Sequence, residues 1–116
     1  MTLQGELDHK DQWKKLSQQE LEEVLDKHEK FVNNQRNGKR AQLGMHDLSY
    51  LDMAGRNPSR AELTGAIINH CTLEGAKMDD VILFAADLRF TNTVDAQLNH
   101  ADLRGTCLAG TNCQAR

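Results

Sequence analysis

From Ala41 to Ala115 the chain repeats every five residues, fifteen times in succession, without an insertion or deletion. In register the units run AQLGM, HDLSY, LDMAG, RNPSR, AELTG, AIINH and onward to TCLAG and TNCQA. A large apolar residue holds the third place in twelve of them: Leu43, Leu48, Met53, Leu63, Ile68, Leu73, Met78, Leu83, Leu88, Leu98, Leu103 and Leu108. Two places earlier the side chain is usually small, as at Ala41, Ala61, Ala66, Cys71, Ala76, Ala86 and Ala101. A short fixed period of this kind marks a solenoid. It specifies an architecture before it specifies a chemistry.

At 116 residues the chain is at most one domain. Five aromatic residues are few for a compact globule, but a core of leucine and alanine rungs needs few large rings. A net charge of −3 excludes a strongly basic nucleic-acid binder. Residues 1–12 are polar, so no signal peptide is expected. No run is long enough to cross a bilayer. Three cysteines, an odd number, argue against a disulfide framework. Cys71 and Cys113 fall at inward places and Cys107 faces out, the usage of a reduced, cytoplasmic protein.

Residues 1–40 are a different object, expected to form a helical cap ahead of the repeats at 41–116. Ser17 and Glu20 have capping-box spacing, and Leu16 and Leu21 stand where a hydrophobic staple closes. Leu21, Val24, Leu25, His28, Phe31 and Val32 then recur at helical spacing. The expected helix runs from about Gln18 to Asn34, with Trp13 on a short helical turn before it. Its apolar stripe serves either to cover the open first coil or to bind a partner.

The pattern of small residue, Asp or Asn, Leu, polar residue, Gly is clearest in Ala101-Asp102-Leu103-Arg104-Gly105 and Ala86-Asp87-Leu88-Arg89. It resembles the pentapeptide-repeat proteins over 75 of the 116 residues. The resemblance implies a mainly β fold, a right-handed quadrilateral β-helix with one unit per side and four per coil. Three coils and three sides of a fourth then span about 18 Å at ordinary strand spacing. Residues twenty apart lie above one another, giving the ladders Leu43–Leu63–Leu83–Leu103 and Leu48–Ile68–Leu88–Leu108. A third runs Met53–Leu73–Thr93–Cys113 and a fourth Pro58–Met78–Leu98. Departures gather in the first coil: His46, Leu51 and Arg56 replace small residues, and Pro58 replaces a ladder residue. There Arg56 is expected to snorkel out of the open end rather than strand its charge in the core.

Chemistry is absent from the pattern. The histidines and Cys107 lack paired-ligand spacing, so no metal site and no cofactor are expected. A filled solenoid offers no cleft for a nucleophile and its base, so the chain reads as no enzyme. The outward places carry one sharper signal. Tyr50, His70 and Phe90 are spaced by twenty and should stack along one edge, with Ile67, Ile82 and Phe84 forming an exposed apolar patch nearby. A contiguous patch marks an interface, unless the helix or Trp13 folds over it.

The leading expectation is therefore a bacterial, non-enzymatic scaffold that binds a protein partner, without nucleic acid or membrane. The family's DNA-mimicking, gyrase-protecting members imply a second reading. Mimicking 18 Å of duplex takes roughly ten negative charges at one per about 1.7 Å. The repeats carry nine acidic residues against six basic ones, a surplus of only three. A third reading comes from the layout of helix, Gly38-Lys39-Arg40-Ala41 and coils, which is similar to bacterial signalling chains that continue into a PilZ domain. Finally, Leu98, Leu103 and Leu108 close the last coil without a capping segment. They are expected to join two copies end to end as a homodimer, unless a longer solenoid continues past Arg116.

Overall fold

The computed structural model of the chain describes residues 13–111. The Cys113 rung and the Arg116 terminus lie outside the described residues. From Ala41 onward a tight turn follows every third-place residue, so the chain changes direction four times in twenty residues. Single second-place residues then pair in parallel with the residue twenty later. One column runs Gln42, Glu62, Ile82, Asp102; another Asp47, Ile67, Asp87, Cys107; a third Asp52, Thr72, Asn92. The result is a four-sided coil whose sides are each pinned at one residue rather than along an ordinary strand.

The bonds alternate as parallel pairing requires. Leu43 N–H donates to Glu62 O at 2.8 Å, and Glu62 N–H donates back to Ala41 O at 3.0 Å. One coil later, Leu63 donates to Ile82 O at 2.8 Å and Ile82 to Ala61 O at 3.0 Å. Inside, the third-place residues from Leu43 to Leu88, with Pro58, are buried, and the first-place alanines leave them room. Polar inward residues are satisfied by a rule of the coil. Cys71 Sγ donates to Leu48 O and Thr106 Oγ1 to Leu83 O, both at 2.9 Å. Thr91 and Thr111 reach Ile68 O and Leu88 O in the same way, always twenty-three residues back. Leu48 O and Leu83 O also accept a turn N–H, so the side chain takes the carbonyl's second lone pair.

The helix α1 spans Gln18–Val32. Its capping box is complete: Glu20 N–H donates to Ser17 Oγ at 3.1 Å, and Ser17 N–H to Glu20 Oε1 at 2.9 Å. Leu16 and Leu21 are both buried beside it. The helix stops two residues before Asn34 because Asn34 turns to a left-handed φ of 58°, which a helix cannot continue. Trp13 lies in a bend and not on a helical turn. The next residues are needed as strand: Leu16 N–H donates to Asp47 O at 3.1 Å and Asp47 N–H to Lys14 O at 2.8 Å. Residues 14–16 thus add a rung below the first coil, with Lys15 paired in parallel to Asp47.

The rest of the first coil meets α1. Leu21 and Leu25 are buried within the same core as Leu43, Leu48 and Met53, and His28 is the third buried residue of the helix. Gln18 replaces a missing rung with its side-chain amide, accepting Asp52 N–H and donating to Asp52 O, each at 2.9 Å. Glu29 accepts Asn57 N–H at 3.0 Å, and His28 Nδ1 accepts Ala41 N–H at 2.8 Å. Arg56 does not snorkel from an open end. Its guanidinium binds Glu29 at 2.9 Å and Asp26 at 2.7 Å, because the helix brings two carboxylates to that position. The Glu29 hydrogen bond, foremost, and Asp26 raise the Arg56 pKa further.

Candidate interaction edge

Every corner places its fifth residue at positive φ, the backbone a type II turn demands at its third position. Glycine takes that conformation freely, whereas other L-residues lose about 1–2 kcal/mol. Of the fourteen described corners five use glycine and nine do not; among the nine, Tyr50, His70 and Phe90 adopt φ of 66°, 59° and 60°. A fifth-place side chain points away from the core, so three successive coils set these rings in one column. The Tyr50 and His70 centroids are 4.7 Å apart with planes at 9°, and His70 and Phe90 are 5.0 Å apart at 22°. The next rung is Gly110, where an added Cβ would fall 2.5 Å from the Phe90 ring. The column therefore ends on the one residue type that leaves Phe90 its space.

The edge is open to solvent, with Tyr50 73% and Phe90 56% exposed. Each stacked pair contributes about 0.5–1.5 kcal/mol. Two pairs give about 1–3 kcal/mol against about 3–6 kcal/mol of strain at three left-handed residues, so glycine would serve the coil at least as well.

The neighbouring apolar patch is not formed as expected. Ile67 is only 8% exposed, because its rung is closed on both sides by the Asp47 and Asp87 rungs. Ile82 is half-buried between Glu62 and Asp102. Phe84 is 44% exposed, but the Arg104 guanidinium lies over its ring at 5.4 Å. Between the Phe84 corner and the aromatic edge, Asp87 accepts Arg89 Nε and Nη2 at 2.9 Å each and Asn69 Nδ2 at 3.2 Å. A charged fork thus divides what an unrolled surface makes contiguous. The same fork recurs at Asp102, where the Arg104 hydrogen bonds pull the carboxyl down to about 2.

At the far end Leu98 is partly buried against the core, while Leu103 and Leu108 are 37% and 46% exposed. The solenoid is not without a cleft. A groove of about 450 Å³ lies where α1 meets the first coil, lined by Lys14, Lys27, Lys39, Arg40, Leu43 and His46 among others. No lining residue is a serine, threonine or cysteine nucleophile. Among the described residues no cluster of His, Cys, Asp or Glu could hold a metal ion. No described helix is long and apolar enough to cross a membrane.

Five-residue units wound four to a coil around a leucine ladder define a repeat-solenoid protein. The family profile for pentapeptide repeats matches eight copies across residues 47–80 and 82–112, and the chain belongs to that family. Among solved structures it is similar to a pentapeptide repeat protein of Nostoc PCC 7120. That likeness is 30% identical, covers 73% of this chain and 74% of that one, and has a TM-score of 0.36. A second, from the Arabidopsis thaliana thylakoid lumen, is 25% identical over 60% of this chain and 63% of that one, with a TM-score of 0.39. A third, from the cyanobacterium Cyanothece 51142, is 23% identical over 66% of this chain, with a TM-score of 0.37. This chain spans 58% of that protein's length. No curated protein matches the chain significantly.

Proposed function

We propose that the protein is a non-enzymatic scaffold that binds another protein along the Tyr50–His70–Phe90 edge. In this reading the coil has the family's right-handed, four-sided winding, and α1 serves as its N-terminal cap. One observation carries the functional part: three solvent-facing rings stack in one column, on left-handed corners that glycine would fill with less strain. Exposed aromatic side chains give large contact area at low entropic cost, the property of binding hot spots. Pentapeptide-repeat membership agrees with a repeat surface in place of a reaction centre.

The test is a variant with Tyr50→Gly, His70→Gly and Phe90→Gly together. It keeps a Tm at or near that of wild type, because each corner gains the residue its φ favours, and it loses the proteins that wild type retains from source lysate. A folded variant retaining the same proteins in the same amounts overturns the assignment. The exposure of Leu103 and Leu108 favours a second contact, with another copy end to end. Light scattering of wild type and Leu108→Arg decides it: a monomer in both, or a dimer in both, removes that geometry.

A further inference from the structure

His28 is fully buried where α1, the connecting segment and the first coil converge. Its Nδ1 accepts Ala41 N–H at 2.8 Å, so that nitrogen carries no proton. The proton must then sit on Nε2, which donates to Ser59 O at 2.6 Å. The ring is neutral, and both its nitrogens are bonded to backbone of the coil. A second proton has only Nδ1 to occupy, where it would confront the Ala41 N–H with another donor.

The charged surroundings resist that proton. The charges of Arg40, at the end of the connecting segment, and Arg60, on the coil, act on the ring, and Arg40 is held by a 2.7 Å bond to Arg60 O. Arg60 lies over Phe31 at 5.1 Å, and the Phe31 ring is 5.7 Å from His28. On the helix the counter-charge is Glu29, whose carboxylate already binds Arg56 and Asn57 N–H. Burial first, then the two arginines, hold the imidazole below its ordinary value, against the Ser59 bond and Glu29.

We infer that His28 is a pH-sensitive latch: the neutral ring pins α1 to Ala41 and Ser59, and its protonation frees the helix while the coils stay wound. Release uncovers the first-coil floor of Leu43, Leu48 and Met53, which shares a core with Leu21 and Leu25. Among the described residues of the later coils, nothing comparable is buried. Their buried inward residues are Leu, Ile, Met, Val, Ala, Thr and a protonated Cys71, and Asp87 is outward and paired. The sign follows from linkage. A histidine whose docked pKa lies below its free value stabilises docking fully above about 6.5, and that stabilisation is lost as pH falls. Between the two values up to one proton is taken up on release, so the undocked fraction rises by at most about tenfold per pH unit.

Amide hydrogen exchange on the full chain between pH 7.5 and 5 tests this, with protection factors corrected for intrinsic rate. Leu25 and Glu29 amides should lose protection as pH falls below about 6.5, by at most about tenfold per unit, while Leu63 and Leu83 amides hold. His28→Gln, which offers a donor and an acceptor but does not titrate, should flatten that slope. Constant helix protection down to pH 5, equal loss in helix and coil, or an unchanged slope in a folded His28→Gln protein each overturns the latch. If that variant does not fold, imidazole nitrogen shifts of wild type decide. An Nε2–H ring persisting below pH 6.5 and charging as the helix releases supports the latch; ordinary titration without loss of protection refutes it.

Discussion

Truncating Leu63, Leu83 and Leu103 to alanine, one at a time, probes burial along a single ladder. Leu63 and Leu83 are fully enclosed, whereas Leu103 is 37% exposed. Removing a buried leucine costs about 2–5 kcal/mol, more where the site cannot collapse. Here collapse is resisted by rung bonds on either side, Leu63 to Ile82 O at 2.8 Å and Leu83 to Asp102 O at 2.9 Å. Leu63→Ala and Leu83→Ala should therefore fall in the upper half, about 3–5 kcal/mol. At Leu103 roughly two-thirds of the about 1.5–3 kcal/mol value of a leucine is at stake, and a hole open to solvent adds no cavity cost. Leu103→Ala should then cost about 1–2 kcal/mol. Urea unfolding followed by circular dichroism reads the difference, provided the m-value is unchanged. A changed m-value would mean that the coils no longer unfold together. A Leu83→Ala loss below about 0.5 kcal/mol, under the usual range, refutes the ladder register. A Leu103→Ala loss equal to that of Leu83→Ala refutes its exposure and means that something covers the last coil in solution.

Two further outcomes follow from the corners and the core. At Gly75 φ is 69° and an added Cβ meets nothing within 4 Å, so Gly75→Ala isolates backbone strain and should cost about 1 kcal/mol. No change in its thermal midpoint would refute the strain argument. Burial pushes the Cys71 thiol up to about 11, while Cys107 is exposed. A thiol reagent at pH 8 should modify Cys107 in the native protein and Cys71 only on unfolding, read by peptide mass spectrometry; equal native rates would refute the burial.

Period five assigns an inward or outward place to every residue of the repeats, and that is why the ladders and the Tyr50–His70–Phe90 column were legible in the sequence. The period states only direction, however, and burial also depends on the side chains one rung above and below. Ile67 points outward as its place requires and is nevertheless covered. Phe84 points outward and acquires Arg104 from the next coil. The capping box and the stripe of α1 were equally plain, being local patterns. What could not be read was which backbone groups its polar residues would meet. Gln18 and Glu29 carry no motif, His28 is legible only as a member of the stripe, and their partners Asp52, Ala41, Ser59 and Asn57 lie 13 to 34 residues away. The strand character of residues 14–16 arises from the same cause, since their pairing partner is the first coil and not their own sequence.

The first coil shows what starting such a solenoid requires. An apolar stripe alone would shield Leu43, Leu48 and Met53 from water and leave the lower edge of the coil with unpaired N–H groups, each costly when desolvated. Three sides are instead answered one by one: Asp47 N–H by Lys14 O, Asp52 N–H by Gln18 and Asn57 N–H by Glu29. Ala41 N–H, where the coil begins, is answered by His28. The three acceptors on α1, Gln18, His28 and Glu29, fix its register on the coil, as the apolar contacts, being non-directional, cannot. The irregular repeat units then cease to be defects. Arg56 stands at a place meant for a small residue because two helix carboxylates wait there, and the same docking that permits the arginine gives Glu29 its position beneath Asn57. A different amphipathic helix with the same stripe but without Gln18, His28 and Glu29 would cover the floor and still leave that edge unsatisfied.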